Sequence, residues 1–306
     1  MALDEGARAA AVRARVEWGV VAAVPAPFRG GELDAAAQRA YAAAMAARPL
    51  AGVAVWAHTG RGPHLDDEQR RVVLETWREA MPDRLVVAGA HDIGSAIAAR
   101  RGHADALLIF PQRDDAVAWH RRLSRELPAF AFWLYEAAGG VAYDDATLHA
   151  ILDLPGIVGI KVATLDSPDT YRRLAGIVAA HSGKLLVTGE DLFLGDSIRM
   201  GARAALIGMA AACVEPQAAL LAAARDGDDA RFAALSACCD RLARVTFIPP
   251  MEGYVRRMLW AAAAEGMLPA EACDDPWGPS LPGAEREAVA RVVAELGGTP
   301  GADAPR

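Results

Sequence analysis

Eight short apolar runs, at residues 18–25, 52–58, 85–91, 104–110, 130–136, 157–163, 184–190 and 204–209, recur along the chain, each bounded by turn residues and followed by a helical pattern. Their hydrophobicity is continuous rather than alternating. Strands covered on both faces require this, and a sheet with both faces covered is a parallel sheet wrapped by helices. Eight strand–helix units close a barrel, so the fold class expected is α/β, a (β/α)8 TIM barrel. At 306 residues the chain exceeds the roughly 250 of a typical barrel, which suits one barrel with a C-terminal helical extension better than two equal domains. The barrel is expected over residues 1–214, and a C-terminal helical region that includes the last barrel helix over 215–306.

Helix starts are marked by Asp66 and Asp67, by Asp144 and Asp145, and by Ser167 and Pro168. After Val214 the pattern is wholly helical: one long stretch to Val245, another from Met251 to Glu265 and a last from Ala284 to Leu296, with breaks at Pro249 and Pro250 and at 274–282. The tail 297–306 is expected to fray.

Composition removes several function classes. A net charge of −7, with no basic stretch interleaved with aromatics, argues against nucleic acid. No apolar run reaches the roughly 18 residues of a membrane span, and residues 1–15 lack the apolar core of a secretory signal, so a soluble cytoplasmic protein is expected. Cys213, Cys238, Cys239 and Cys273 have no CxxC spacing, and the seven histidines show no HExxH pattern. His91–Asp92 joins a strand to a helix and reads as a turn. Neither a metal nor an organic cofactor is called for.

Of the 32 basic residues only Lys161 and Lys184 are lysine. Where arginine serves wherever charge is needed, a retained lysine points to amine chemistry, because a guanidinium stays protonated and is no nucleophile. Lys161 lies in the apolar run 156–163. Burial there disfavours the ammonium, and an ordinary pKa of about 10.4 would leave fewer than about one amine in a thousand neutral at pH 7. Lys184 opens a strand at the opposite, stability face of the barrel, where only a solvated charge is expected.

Barrel enzymes place reacting groups at the C-terminal ends of strands. Tyr135 ends the run before that of Lys161, and neighbouring parallel strands lie about 4.8 Å apart, so its phenol can relay protons at the same substrate. After the second run, His58, Thr59 and Gly60 offer a hydroxyl and backbone N–H groups free to turn towards a carboxylate. Glu136, Gly189, Glu190 and Asp191 complete the strand-end polar set.

With these residues in hand the chain resembles the dihydrodipicolinate synthase and N-acetylneuraminate lyase family across roughly residues 18–296, most closely in the strand Gly-Ile-Val-Gly-Ile-Lys-Val-Ala. The resemblance implies a Schiff base between Lys161 and a 2-oxo acid, a catalytic tyrosine at Tyr135, and a carboxylate loop at 57–61 that keeps Thr59 and Gly60. It also implies an eighth-strand carbonyl near Leu206 and a Gly-Asp-Asp segment appearing as Gly189, Glu190 and Asp191. The departures point away from the synthase itself. Its first loop threonine is His58, its relay tyrosine pair after the fourth strand aligns with Gln112 and Arg113, and the arginine gripping its second substrate is replaced within 136–140. Arg61 stands where the family has glutamate.

The expectation is a class I lyase or aldolase, or a dehydratase, acting on pyruvate or a 2-keto-3-deoxy sugar acid. Lys161 is the electron sink, Tyr135 the proton shuttle, and His58, Thr59, Gly60, Glu136, Gly189 and Leu206 the binding set. A condensation of pyruvate with an aldehyde is the alternative within enzymes, and a catalytically lapsed, metabolite-binding barrel the alternative outside them. The resemblance favours a homo-oligomer, dimer or tetramer, contacting through the post-barrel helices.

Overall fold

The computed structural model describes residues 4–297. Eight parallel strands form a closed barrel: β1 Val20–Ala23, β2 Gly52–Val55, β3 Leu85–Ala90, β4 Ala106–Ile109, β5 Ala129–Leu134, β6 Ile157–Ala163, β7 Leu185–Thr188 and β8 Ala204–Ile207, with β8 pairing back onto β1 through Val20↔Ala205. Every residue of these eight strands is buried, as the continuous apolar runs require.

One helix, α1 (Glu5–Val16), precedes the barrel, and one follows each strand: α2 Ala35–Ala46, α3 Asp67–Ala80, α4 Ile93–Arg101, α5 Ala116–Ser124, α6 Asp145–Leu152, α7 Pro168–Ala179, α8 Leu194–Arg199 and α9 Val214–Asp226. The acidic start signals are N-caps: Asp66 accepts from Gln69 N, and Asp144 from Thr147 N. Asp92 likewise caps α4 by accepting from Ser95 N, which gives the His91–Asp92 pair a structural role.

The core has two layers. Strand residues such as Val53, Leu107, Ile160 and Val162 face the helices, whereas Val21, Leu108, Phe130, Phe132 and Leu206 fill the barrel interior. Ala9, Val12 and Val16 of α1 join the interior cluster, a stripe at i, i+3 and i+7.

Beyond α9 come α10 (Asp229–Thr246), α11 (Tyr254–Ala264) and α12 (Gly283–Gly297). The single helical stretch expected up to Val245 is therefore two helices. Gly227 has φ +70°, a left-handed conformation open to glycine at no steric cost, and it ends α9 so that α10 folds back onto it. The linking segments 247–253 and 265–282 cross towards the C-terminal mouth of the barrel. The expected fraying of 297–306 falls, after Gly297, outside the described residues. Among the described residues no helix is long and apolar enough to cross a membrane.

Candidate active site at the barrel mouth

The position of Lys161 follows from an irregularity in β6. Ala129 pairs with Ile157, but Phe130 pairs with Gly159, so Val158 is an extra residue in the ladder. A one-residue shift exchanges the two faces of a strand. Val158 is interior, yet two residues on Ile160 is exterior, as is Val162. The bulge thus turns Lys161 into the barrel, beside its ladder neighbours Phe132 and Val187, both interior. Gly159 fits the crowded turnover, since a Cβ there would lie 2.0 Å from the Leu185 carbonyl oxygen.

Lys161 is buried, with Nζ 4.3 Å from the centre of the Phe132 ring. Burial lowers the ammonium's pKa, while the carboxylates of Asp191 and Glu190 pull it back up. Burial raises Asp191 in turn; its carboxylate accepts from Met209 N at 2.8 Å. Gly189 makes room for the lysine, because a Cβ there would sit 2.6 Å from Lys161 Cε. Glu190 turns away from the cleft centre to accept from Thr164 Oγ1 at 2.9 Å and Leu165 N at 3.1 Å. It thereby pins the loop after β6, where Leu165 has φ +71°. Burial pushes its pKa up to about 7.

These groups open into a small cleft at the barrel mouth, with about 40 Å³ of space for water-sized molecules. Of the expected residues, Lys161, Tyr135, His58, Thr59 and Gly189 line it. Glu136, Gly60 and Leu206 do not. Glu136 begins a short 3-10 turn that leaves it exposed, Gly60 packs with its Cβ position 2.9 Å from the Val24 carbonyl, and Leu206 belongs to the barrel interior, Gly208 lining the cleft in its stead.

Sequence reasoning missed the contribution of the segment around α11. Phe247, Met251 and Tyr254 form one wall. The Tyr254 hydroxyl lies 3.1 Å from His58 Nδ1 and 3.0 Å from Thr59 Oγ1, its ring stacked on Phe247 with centres 5.0 Å apart. Burial pushes His58 well below an ordinary histidine, Glu252 opposing and Arg61 assisting. Tyr135 is raised by burial first and by Glu252 second, and its hydroxyl donates to Glu252 Oε1 at 3.5 Å. Arg61 lies behind this wall, bound to Glu252 and Asp275 rather than to the cleft. A polar cluster just after Pro249 and Pro250 was the one signal available, and nothing in its spacing tied it to a strand 190 residues earlier. Among the described residues no group of three or more His, Cys, Asp or Glu is placed to hold a metal ion.

No family model matches the chain. A 4-hydroxy-tetrahydrodipicolinate synthase of Mycolicibacterium paratuberculosis is 28% identical over 248 residues, 74% of this chain and 80% of the relative. Among solved structures, N-acetylneuraminate lyase from Mycoplasma synoviae superposes with a TM-score of 0.75 at 16% identity, covering 92% of this chain and 98% of that one. A prophage protein of the dihydrodipicolinic acid synthase family from E. coli K12, in complex with pyruvate, superposes with a TM-score of 0.81 at 18% identity, covering 91% and 98%.

Proposed function

We propose that this chain is a divergent member of the dihydrodipicolinate synthase and N-acetylneuraminate lyase family, to which its relatives and fold point, and that it is a class I lyase that cleaves or forms a carbon–carbon bond of a 2-oxo acid through a Schiff base on Lys161. The observation that carries the reading is a buried amine, turned into the barrel by a bulge, in one cleft with the hydroxyls of Tyr135 and Thr59. Desolvation holds part of the amine neutral and so nucleophilic.

The amine adds to the C2 carbonyl, whose π electrons pass to oxygen. Loss of water, with a proton delivered to the departing hydroxyl, leaves an iminium. In cleavage the bond between C3 and C4 breaks as the C4 hydroxyl loses its proton, and the bonding pair becomes the enamine double bond while the iminium π pair moves to nitrogen. Protonation at C3 and hydrolysis return the 2-oxo acid and the free lysine. Tyr135 moves the protons at C2 and the departing hydroxyl, and the backbone N–H groups beside Thr59 hold the carboxylate.

Beyond Lys161 the cleft wall carries no other lysine or arginine. The distal part of the substrate is accordingly neutral, as in a polyhydroxylated chain, and an aldehyde bearing its own carboxylate lacks a guanidinium to bind it. Losing such a charge-assisted contact costs about 1.5–3 kcal/mol, roughly one to two powers of ten. Borohydride reduction with a panel of 2-oxo acids, followed by peptide mass mapping, tests the proposal: one ligand per chain on Lys161 is expected. Labelling at Lys184 alone, or none with any 2-oxo acid, refutes it.

A further inference from the structure

A hydroxyl, an imidazole and a carboxylate line up along the wall that the α11 segment contributes. His58 Nδ1 lies 3.1 Å from the Tyr254 hydroxyl, and His58 Nε2 lies 3.6 Å from Glu252 Oε1, an electrostatic rather than a hydrogen-bonding separation. The other Glu252 oxygen is anchored by Arg61 Nη1 at 2.7 Å, which leaves Oε1 facing the histidine and Tyr135. The loop after β4, where the resemblance puts a tyrosine pair, holds Gln112 with its side chain turned to the Asp114 carbonyl.

Taking the Lys161 imine as given, we propose that Tyr254, His58 and Glu252 form an intrachain proton-transfer line that takes the C3 proton from the lysine-bound substrate and returns it. The line is built within one chain, from β2 and from the segment leading into α11.

The polarity follows from the neighbours. A carboxylate at Nε2 favours the tautomer with its proton there, leaving Nδ1 to accept from the Tyr254 hydroxyl, which in turn accepts from Thr59. The titratable and charged groups facing His58 are Glu252 from the α11 segment, Arg61 and His64 from its own loop region, and Lys161 from β6. Burial and the cations keep the ring neutral, so it has a lone pair to offer. In the step itself the C3–H bond breaks, its pair becomes the C2–C3 double bond, and the iminium π pair moves to Lys161 nitrogen. The proton passes to the phenol oxygen as the phenol's own proton moves to His58 Nδ1, giving an imidazolium opposite Glu252. Reversal re-forms the C3–H bond.

Pyruvate alone reads both layers of the claim. Borohydride trapping reports the imine, and loss of the methyl proton signal in D₂O by NMR reports proton transfer at C3. Tyr254→Phe removes one oxygen and keeps the stacked ring. It is expected to trap pyruvate within about twofold of wild type, with an unchanged half-saturating concentration, yet to exchange about 10²–10⁴ times more slowly. His58→Asn should slow exchange relative to trapping by a similar factor, whatever its effect on pyruvate binding, and the double variant should be no slower in that ratio than either single one. Should Tyr254→Phe lose its circular dichroism signature, His58→Asn decides by that ratio. Exchange at the wild-type rate, or loss of trapping together with exchange in folded variants, overturns the line. Wild-type protein that traps no pyruvate or related 2-oxo acid overturns the Schiff-base reading instead.

Discussion

Arg61 grips Asp275 with two parallel hydrogen bonds, Nε to Oδ1 at 3.0 Å and Nη2 to Oδ2 at 2.6 Å, tying the loop after β2 to the segment after α11. Its remaining terminal nitrogen holds Glu252. The side chain of Asp275 is only 1% exposed, so removing its partner strands a buried charge. Arg61→Met is expected to lower stability by about 3–5 kcal/mol in urea denaturation, and Asp275→Asn in the same background to recover part of it. An unchanged midpoint for Arg61→Met would show that the pair does not hold the wall.

Lys161→Arg should fold normally, by circular dichroism, and trap no 2-oxo acid, because the guanidinium remains protonated. In the wild type the trapping rate should rise with pH and level off below the ordinary lysine value of about 10.4, since burial shifts the amine downward. A plateau only at or above that value would mean that the cleft leaves the ammonium as stable as in water.

Gly189→Ala probes the space beside the lysine. Its Cβ would stand 2.6 Å from Lys161 Cε and 2.9 Å from the Val162 carbonyl, so the amine must move out of its inward position. At least tenfold slower imine trapping in a folded protein is expected, and wild-type trapping would show that the lysine arm has slack to spare.

Lys184 corrects an expectation drawn from sequence. It is not merely a solvated charge: Nζ donates to the Leu154 carbonyl at 2.8 Å and the Ile157 carbonyl at 2.7 Å, bracing the entry to β6 from below. Lys184→Met should therefore cost about 1.5–3 kcal/mol of stability while leaving the trapping rate at Lys161 unchanged. Thermal melts of this variant alongside Lys161→Met separate the two lysines; equal stability of Lys184→Met and wild type would return it to the role of surface charge.

Glu190 gives stability a pH slope. Burial raises its folded pKa to about 7 from 4.5, so the folded state binds more protons than the unfolded one between those values. The contribution is fully present below the unfolded pKa and is lost as pH rises through the folded one. Glu190→Gln should flatten the fall in stability between about pH 4.5 and 7. Urea midpoints across that window read it directly, and an unaltered slope would assign the pH dependence elsewhere.

The barrel was legible because two-sided burial leaves each parallel strand an uninterrupted apolar run, and because Asp66, Asp144 and Ser167 mark helix starts in the residue types that cap them. The strand-end rule also led to Lys161, Tyr135, His58 and Thr59. Glu136, by contrast, is carried outward by a turn, and beyond β8 it is Gly208 rather than Leu206 that lines the cleft. The bulge at Val158 left no mark in a run that is apolar on both faces. Tyr254, Glu252 and Asp275 follow no strand, so no periodicity attached them to the mouth.

The wall formed by Phe247, Met251 and Tyr254 has a consequence for the order in which the molecule becomes competent. All eight strands, and Lys161 with them, precede residue 208. A barrel that has closed while residues 247–275 are still inside a ribosome, or one clipped before them, keeps the lysine but lacks one wall of the cleft it lines. On the chemistry proposed for Lys161, the cleft that would receive a substrate is therefore complete only once residues 247–254 have been made.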